Sequence, residues 1–361
     1  MKKNVLITLL LLFGIFLMPL LLLFIQYILD DTYFDDYKNK KTVAFNAWGA
    51  DELLIGDINQ YLLQNGYNAG LYYYKNDVDC SKIDYSIFFR GEFTTYSRAC
   101  RTKKNILWQF YADLYKVDGV EQMVSVEKYS NELVKSARQF DAVIVSSKLL
   151  YEKVKDRIKV PLYYIPQFSN VNKFYPEYTK DFKTKALFVG HPHFYRVTPR
   201  LALNNNLPVT IFGEGWMSDG KQVFGYDIPH DILHKYYTSA DIVLNDTMPG
   251  MREFGFISNR IYDVSASGGF VISDYSKAIE EIFGDSIPMW KTEKEFVELV
   301  NYYLNHPDEK KEKIEKAKKI TLENYTCDKS AQKLVTVLKN IENKPSFPRY
   351  LKHKLFKFGI I

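Results

Sequence analysis

The stretch REFGFISNRIYDVSASGGFVISD, residues 252–274, sets Glu253, Arg260 and Asp263 ahead of a glycine pair and the apolar run FVIS. A buried strand needs no charge upstream for its own sake. The physical reading starts at Ser258, because serine ahead of a helix-spaced run is a favoured N-cap. The spacing therefore predicts a helix that begins near Ser258-Asn259-Arg260. The N–H groups left unpaired at such an end, together with the helix dipole, favour an anion. Arg260 adds a two-pronged guanidinium that matches phosphate. Asp263, about one turn further on, is placed to accept hydrogen bonds from a ribose, as an acid does in dinucleotide-binding folds. Gly268 and Gly269 let the helix stop close against the next strand. An arginine and an aspartate three residues apart also make a common surface ion pair, and spacing does not separate the two readings.

The same strand-then-polar-loop pattern recurs on either side. KALFVG (185–190) runs into residues 191–196, PVTIFG (208–213) into Glu214-Gly215-Trp216, and DIVLND (241–246) into residues 247–250. Helices are expected near 196–205 and over 229–239, and Lys- and Glu-rich helices over 292–342. Earlier in the chain, TVAFN (42–46), AGLYYY, DYSIFFR, NILWQFY, DAVIVSS (141–147) and PLYYIP (161–166) read as short strands. DELLIGDINQYLLQNG (51–66) reads as a helix stopped by glycine. Unbroken apolar strands separated by helices indicate parallel sheets covered on both faces. The polar, proline-containing FSNVNKFYPEYTKDFKTK (168–185) breaks the rhythm and suits a linker. The expected fold class is α/β. Two doubly wound Rossmann-like domains, residues 42–175 and 184–330, face a cleft, and a C-terminal helix and tail occupy 331–361. Ligands in such domains bind beyond the carboxyl ends of the strands, so the cleft is the expected site.

Composition narrows the function classes. Lys+Arg number 48 against 43 Asp+Glu, a formal charge of +5 with no basic stripe, which argues against nucleic acid as a partner. The 3 cysteines lack paired short spacing and the 6 histidines lack ligand spacing, so neither a disulfide framework nor a metal site is expected. Residues 5–29 carry no charge. As a helix they would span about 37 Å, enough for a hydrocarbon core of roughly 30 Å. A single N-terminal membrane anchor is predicted over 1–29, followed by a polar tether over 30–41. Lysines on both sides nearly balance, and the positive-inside rule sets no orientation. The end of the chain, FPRYLKHKLFKFGII, interleaves Arg349, Lys352, Lys354 and Lys357 with aromatic and aliphatic residues. That pattern suits an anionic bilayer surface and equally a solvated helix.

ADIVLNDTMPGMREFGFISNRIYDVSASGGFVISD (240–274) resembles the donor-binding segment of GT-B glycosyltransferases, in particular the bacterial spore-maturation-type subgroup of the group 1 glycosyl transferases. KALFVGHPHFYRVTPR, PVTIFGEGW and VNKFYP agree in order and spacing. NILWQFYADLYKV and FDAVIVSSKLLYEKV are similar to the acceptor domain of the same subgroup. The resemblance implies transfer of a sugar from a nucleotide-diphosphate sugar to a glycan or lipid-linked acceptor. It implies retention of configuration, no metal and no separate cofactor. Residues 42–175 would then be the acceptor side and 184–330 the donor side. A membrane-tethered body would lie on the cytoplasmic side, where nucleotide sugars are made.

Carried over by position, Asp263 would hold the ribose, and Arg196 and Arg260 the diphosphate. Gly190, Gly213 and Glu214 would line the nucleotide pocket, with Asp246 and Asn259 beside it. Retaining members commonly carry two glutamates with seven residues between them. Counting back from Asp263, the first falls on Gly255, and Glu253 stands two residues early. Glu253 is the catalytic candidate on that count. Asp51 and His191 are the others, the first serving equally as a helix cap and the second as a donor contact. Trp48 and Gly49, in the first strand-to-helix turn, and Glu92, after another strand, are acceptor-side candidates. A nucleotide-sugar epimerase and a non-catalytic nucleotide-sugar-binding scaffold are the alternatives on the same fold.

Overall fold

The strands fall into two sheets, each parallel throughout, and one small antiparallel pair. The computed structural model describes residues 40–47, 52–73, 82–89, 104–111, 115–117, 120–122, 125–192, 196–216 and 227–342. The anchor expected over 1–29, the tether up to residue 39 and the tail from 343 lie outside the described residues, as do Trp48, Gly49, Asp51 and Glu92. Among the described residues no helix is long and apolar enough to cross a membrane.

The first lobe runs β1 (Lys41–Ala47), α1 (Glu52–Leu63), β2 (Tyr67–Tyr73), β3 (Tyr85–Phe89), β4 (Lys104–Gln109), β5 (Tyr115–Val117), β6 (Val120–Gln122), α2 (Val126–Ala137), β7 (Ala142–Val145), α3 (Lys148–Val154) and β8 (Leu162–Tyr164). Its six-stranded sheet has the order β2-β1-β3-β4-β7-β8. Every residue of β3 and β7 is buried, which is why these strands read as unbroken apolar runs. The second lobe runs β9 (Ala186–Val189), α4 (Thr198–Asn204), β10 (Val209–Phe212), α5 (Leu233–Ser239), β11 (Ile242–Asn245), α6 (Pro249–Phe254), α7 (Asn259–Ala266), β12 (Val271–Asp274), α8 (Lys277–Phe283) and β13 (Met289–Trp290). Its five-stranded sheet has the order β10-β9-β11-β12-β13. Three helices close the described chain: α9 (Glu293–Asn305), α10 (Pro307–Asn324) and α11 (Cys327–Glu342).

Local chemistry sets the element ends. Ser125 caps α2 by accepting from the Lys128 N–H, and Thr292 and Glu295 form a reciprocal capping box on α9. The helix expected over 51–66 stops at Leu63, where Gly66 turns the chain at φ 82°. The helix expected from 196 starts at Thr198, with Pro199 in its first turn. The one expected from 229 starts at Leu233, because the Ile232 N–H closes a turn on the Pro229 carbonyl first.

Two features tie the lobes together. The first is α11, whose residues Ala331, Leu334, Val337, Leu338 and Ile341 join the buried cluster formed by Phe45, Ile58, Ile87 and Trp108 of the first lobe. The end of the described chain thus completes the sheet that begins it, and Lys41 pairs with Glu342. The second is α6 and the residues after it. Met251, Phe254 and Phe256 belong to the buried cluster of Phe88, Leu107, Leu133 and Phe140, and Phe254 stacks on Tyr129 at 4.4 Å. The Ser147 hydroxyl accepts from the Leu150 N–H at 3.0 Å, capping α3, and donates to the Phe254 carbonyl at 2.5 Å. One side chain therefore ends a first-lobe helix and holds the second lobe's α6.

Ser147→Ala removes the cap and strands a buried carbonyl, each a loss of roughly 1–2 kcal/mol. Urea unfolding should show a midpoint lowered accordingly. An unchanged midpoint would mean that the joint contributes nothing to stability.

Candidate functional site

Strand order locates a crevice before any side chain is considered. β9 lies between β10 and β11, so the chain leaves β9 toward one side while β11 stands on the other. In open parallel sheets the gap outside the carboxyl ends of two such strands is where ligands bind. Here those ends are Val189-Gly190 and Asn245-Asp246.

Glycine keeps the crevice open. Gly190 and Gly213 have φ of 151° and 144°, and a Cβ at Gly213 would stand 2.3 Å from the Gly190 oxygen. The Trp216 indole N–H donates to that same oxygen at 2.7 Å. The two strand-end loops pass backbone to backbone, which a side chain at Gly213 would prevent.

Two guanidinium groups converge there. Arg260 donates from Nη2 to the Val189 carbonyl and from Nη1 to Asn245 Oδ1 at 3.2 Å. Arg196 pairs through Nη1 with Asp246 Oδ1 at 2.5 Å. Both lie over the Phe188 ring, at 5.0 and 5.6 Å. A Cβ built on Gly190 would lie 3.1 Å from one Nη2 and 3.6 Å from the other. Burial, with Arg196 as a like-charged neighbour, pushes the Arg260 pKa down. Arginine nonetheless stays protonated in proteins, so two cations share this point, with Asp246 against Arg196 and the Asp263 carboxyl within electrostatic reach of Arg260. An anion would relieve that imbalance.

The start of α7 faces the same space. Ser258 caps it, its hydroxyl accepting from the Arg260 N–H at 3.4 Å. Asp246 Oδ2 and Asn259 Oδ1 are buried without a hydrogen-bond partner. Orphaned buried acceptors are uncommon and point to hydroxyl or N–H donors supplied from outside the chain.

Asp263 sits one turn along α7, on the side toward the first lobe. Burial pushes its carboxyl up to about 8. The Ser169 hydroxyl of the interlobe linker and the Arg260 guanidinium pull it back, while the Asp57 carboxylate of α1 pushes it up further. Asp57 is itself tied to Lys173 of the linker at 2.5 Å. Tyr237, whose phenol burial raises to about 12, closes the crevice beside Arg260. Asp263 therefore faces the linker and α1 of the first lobe, while Arg260 is held inside the second lobe at the ends of β9 and β11.

The other expected residues are more dispersed. His191 is exposed, its Nε2 3.2 Å from Asp227 Oδ1. Glu214 is exposed too, and its backbone N–H donates to the same carboxylate at 3.3 Å. Both stand on the rim. Glu253 is exposed on α6 and lines a separate interlobe cavity. Gly255 is left-handed at φ 75°, and a Cβ there would lie 2.8 Å from Leu149 Cβ. The position that an acid occupies in the resembled family is thus closed by the first lobe itself. Sequence reading passed over Asn245, Tyr237, Ser169 and Asp57. Asn245 had a signal, a polar residue ending a buried strand; the other three carried none.

The Asp263 shift has a sign. Its folded-state value, about 8, lies above the ordinary 3.8. The unfolded chain therefore releases this proton first, and the group's contribution to stability is lost progressively as pH rises from about 4 to 8. Asp263→Asn has no such loss, so its melting temperature should gain on the unsubstituted protein across that interval. Parallel melting curves would contradict the buried setting of this carboxyl.

Residues 196–336 match the family described as glycosyl transferase-like. The spore protein CgeB of Bacillus subtilis (strain 168) is 25% identical, the match covering 49% of this chain and 61% of that protein. Among solved structures, sucrose-phosphate synthase from Thermosynechococcus elongatus superposes with a TM-score of 0.64 at 11% identity, over 84% of this chain and 99% of the other. Anabaena HepE in complex with UDP and glucose gives 0.59 at 9% identity, over 83% and 99%. A glycosyltransferase from Rickettsia africae gives 0.59 at 12%, over 85% and 100%. The chain therefore has the α/β architecture of the GT-B glycosyltransferases and resembles them also in the sequence of its second lobe.

Proposed function

We propose that this protein is a glycosyltransferase that moves a sugar from a nucleotide-diphosphate donor to a glycan or lipid-linked acceptor. The observation that carries the reading is the meeting of Arg196 and Arg260 beside Gly190, at the strand-end crevice where α7 begins. In the reaction the bond from the sugar's anomeric carbon to the diphosphate oxygen breaks, and the diphosphate keeps the electron pair. The acceptor oxygen bonds to that carbon and its proton is released. Charge therefore accumulates on the diphosphate, where two preorganised guanidiniums and the helix-end N–H groups stabilise it. These groups supply the neutralisation that a metal ion provides elsewhere.

Asp263, its carboxyl raised to about 8, holds a proton at neutral pH. It can donate one hydrogen bond and accept others, which suits a ribose diol. Solved neighbours support a uridine diphosphate donor: HepE binds UDP and glucose, and T4 phage BGT binds its UDP-glucose substrate. Retention of configuration rests on the family resemblance. The uncharged run over 5–29 supports a membrane tether, and a body on the cytoplasmic side would meet its nucleotide-sugar donor where that is made.

A second reading, a nucleotide-sugar-binding protein without turnover, is favoured by Gly255, where the backbone leaves no place for an acid. Hydrolysis or transfer of a donor sugar distinguishes the two.

Thermal-shift titration with nucleotide diphosphates and nucleotide sugars tests the site directly. UDP should raise the melting temperature. Arg260→Lys keeps the charge but loses the fork, and should weaken UDP by about tenfold or more. No shift with any nucleotide would remove the crevice from consideration as the donor site.

A further inference from the structure

Arg260 does not hold its place alone. Behind it a polar chain crosses the ends of β11 and β12 and comes out at Arg252 on α6. Arg260 Nη1 donates to Asn245 Oδ1 at 3.2 Å, and Asn245 Nδ2 donates to the Ser273 hydroxyl at 2.9 Å. That hydroxyl donates to Asp274 Oδ1 at 3.1 Å. Asp274 also accepts from the Thr247 N–H and from Arg252 Nη1, each at 2.9 Å. Asn245 and Ser273 are partners in the ladder between the two strands, and Asn245, Thr247, Ser273 and Asp274 are all buried.

The direction of this chain is forced from both ends. A guanidinium only donates, so the Asn245 amide must turn its oxygen to Arg260 and its NH2 group to Ser273. The Ser273 hydroxyl accepts from that NH2 and has its single proton left for the carboxylate. An ionised carboxylate only accepts, and Arg252 stands against it as the opposite charge. Burial, with Asp246 nearby, raises the Asp274 pKa, while Arg252 and the Thr247 N–H draw it back. Without the hydroxyl or the carboxylate, nothing holds the amide to one orientation. Turned over, it would set its own donors against those of Arg260. Away from water a consistent chain gains in strength, and a broken one is costly for the same reason.

The chain also reaches the segments that carry the other guanidinium. The Asn245 backbone carbonyl accepts from the Thr198 hydroxyl at 3.2 Å, two residues beyond Arg196. Thr247, held by Asp274, follows Asp246, the partner of Arg196. Arginine has five N–H donors, so contacts with Val189, Asn245 and Tyr237 leave others on Arg260 for an oxyanion. Where those remaining donors point is set by the contacts already made. We infer that Asn245, Ser273 and Asp274 are positioning residues for the donor diphosphate, acting through Arg260, whose guanidinium plane they aim at the crevice. This role rests on the donor reading of the crevice and adds the residues behind it that set its affinity.

The full chain is titrated with UDP by calorimetry, and the melting temperature of each variant is read beside it. Ser273→Ala and Asp274→Asn should each weaken UDP about tenfold, the loss of one hydrogen bond to a charged group. Arg260→Lys has no guanidinium plane to aim, and in that background the same changes should weaken UDP by no more than about twofold. If Asp274→Asn does not fold, Ser273→Ala decides. UDP binding that is unchanged in Ser273→Ala overturns the positioning role and leaves the donor site standing. Equal weakening in both backgrounds does so too, because a packing defect acts without regard to the side chain at 260. Absence of UDP binding to the unsubstituted protein overturns the donor reading, and the positioning role falls with it.

Discussion

The guanidinium of Arg260 organises the second lobe. It starts on the first turn of α7, crosses to the end of β9 at the Val189 carbonyl and touches the end of β11 at Asn245. One side chain therefore fixes a helix start against two strand ends, which lie side by side in the sheet. That arrangement requires Gly190 to carry no side chain, because a Cβ there would stand 3.1 Å from the guanidinium nitrogen. It also brings Arg196 within reach, and the like charges are tolerated because Asp246 lies against one and backbone and amide oxygens against the other. Burying a charge without such partners costs several kcal/mol. The crevice is stable in this form and electrostatically unfinished.

The segment 246–257 links this crevice to the rest of the molecule. Its first residues hold Arg196, its middle is α6, and Met251, Phe254 and Phe256 sit in the first lobe's core. Phe254 stacks on Tyr129 and is held by Ser147, while Gly255 closes on Leu149. Packed interiors resist small displacements, so this segment acts as a fixed post between the lobes. The departure at Gly255 from the resembled family's acid follows from the same packing. Where a glutamate would point into the cleft, the first lobe has taken the volume, and Glu253 is turned toward the neighbouring cavity instead.

Much of this was legible in the chain. Unbroken apolar strands between amphipathic stretches gave two parallel sheets, because a strand buried on both faces has no polar face to show. Ser258 gave the start of α7, since a cap is a local property of the residue and its neighbours. Gly190 and Gly213 stood out as glycines ending strands. What escaped depends on contacts between residues far apart in sequence. Nothing near Phe254 shows that it will enter the other lobe's core, and nothing near Asp57 shows that it faces Asp263. Ser147, read as the end of the strand segment 141–147, turned out to cap α3 and to bind the Phe254 carbonyl as well. The length expected for several helices was off by a few residues where prolines at 199 and 229 reset the first turn.

The return of α11 to the opening sheet has a consequence for biosynthesis. A chain leaving the ribosome presents β1 to β8 early, yet the layer that covers them, Ala331 to Ile341, is made last. The first sheet must wait with that face covered by α1 alone, a state open to aggregation. For this protein the two lobes are therefore not independent folding units in order of synthesis. The strands of the second lobe are all made before α11, and the first is finished only once that helix crosses over it.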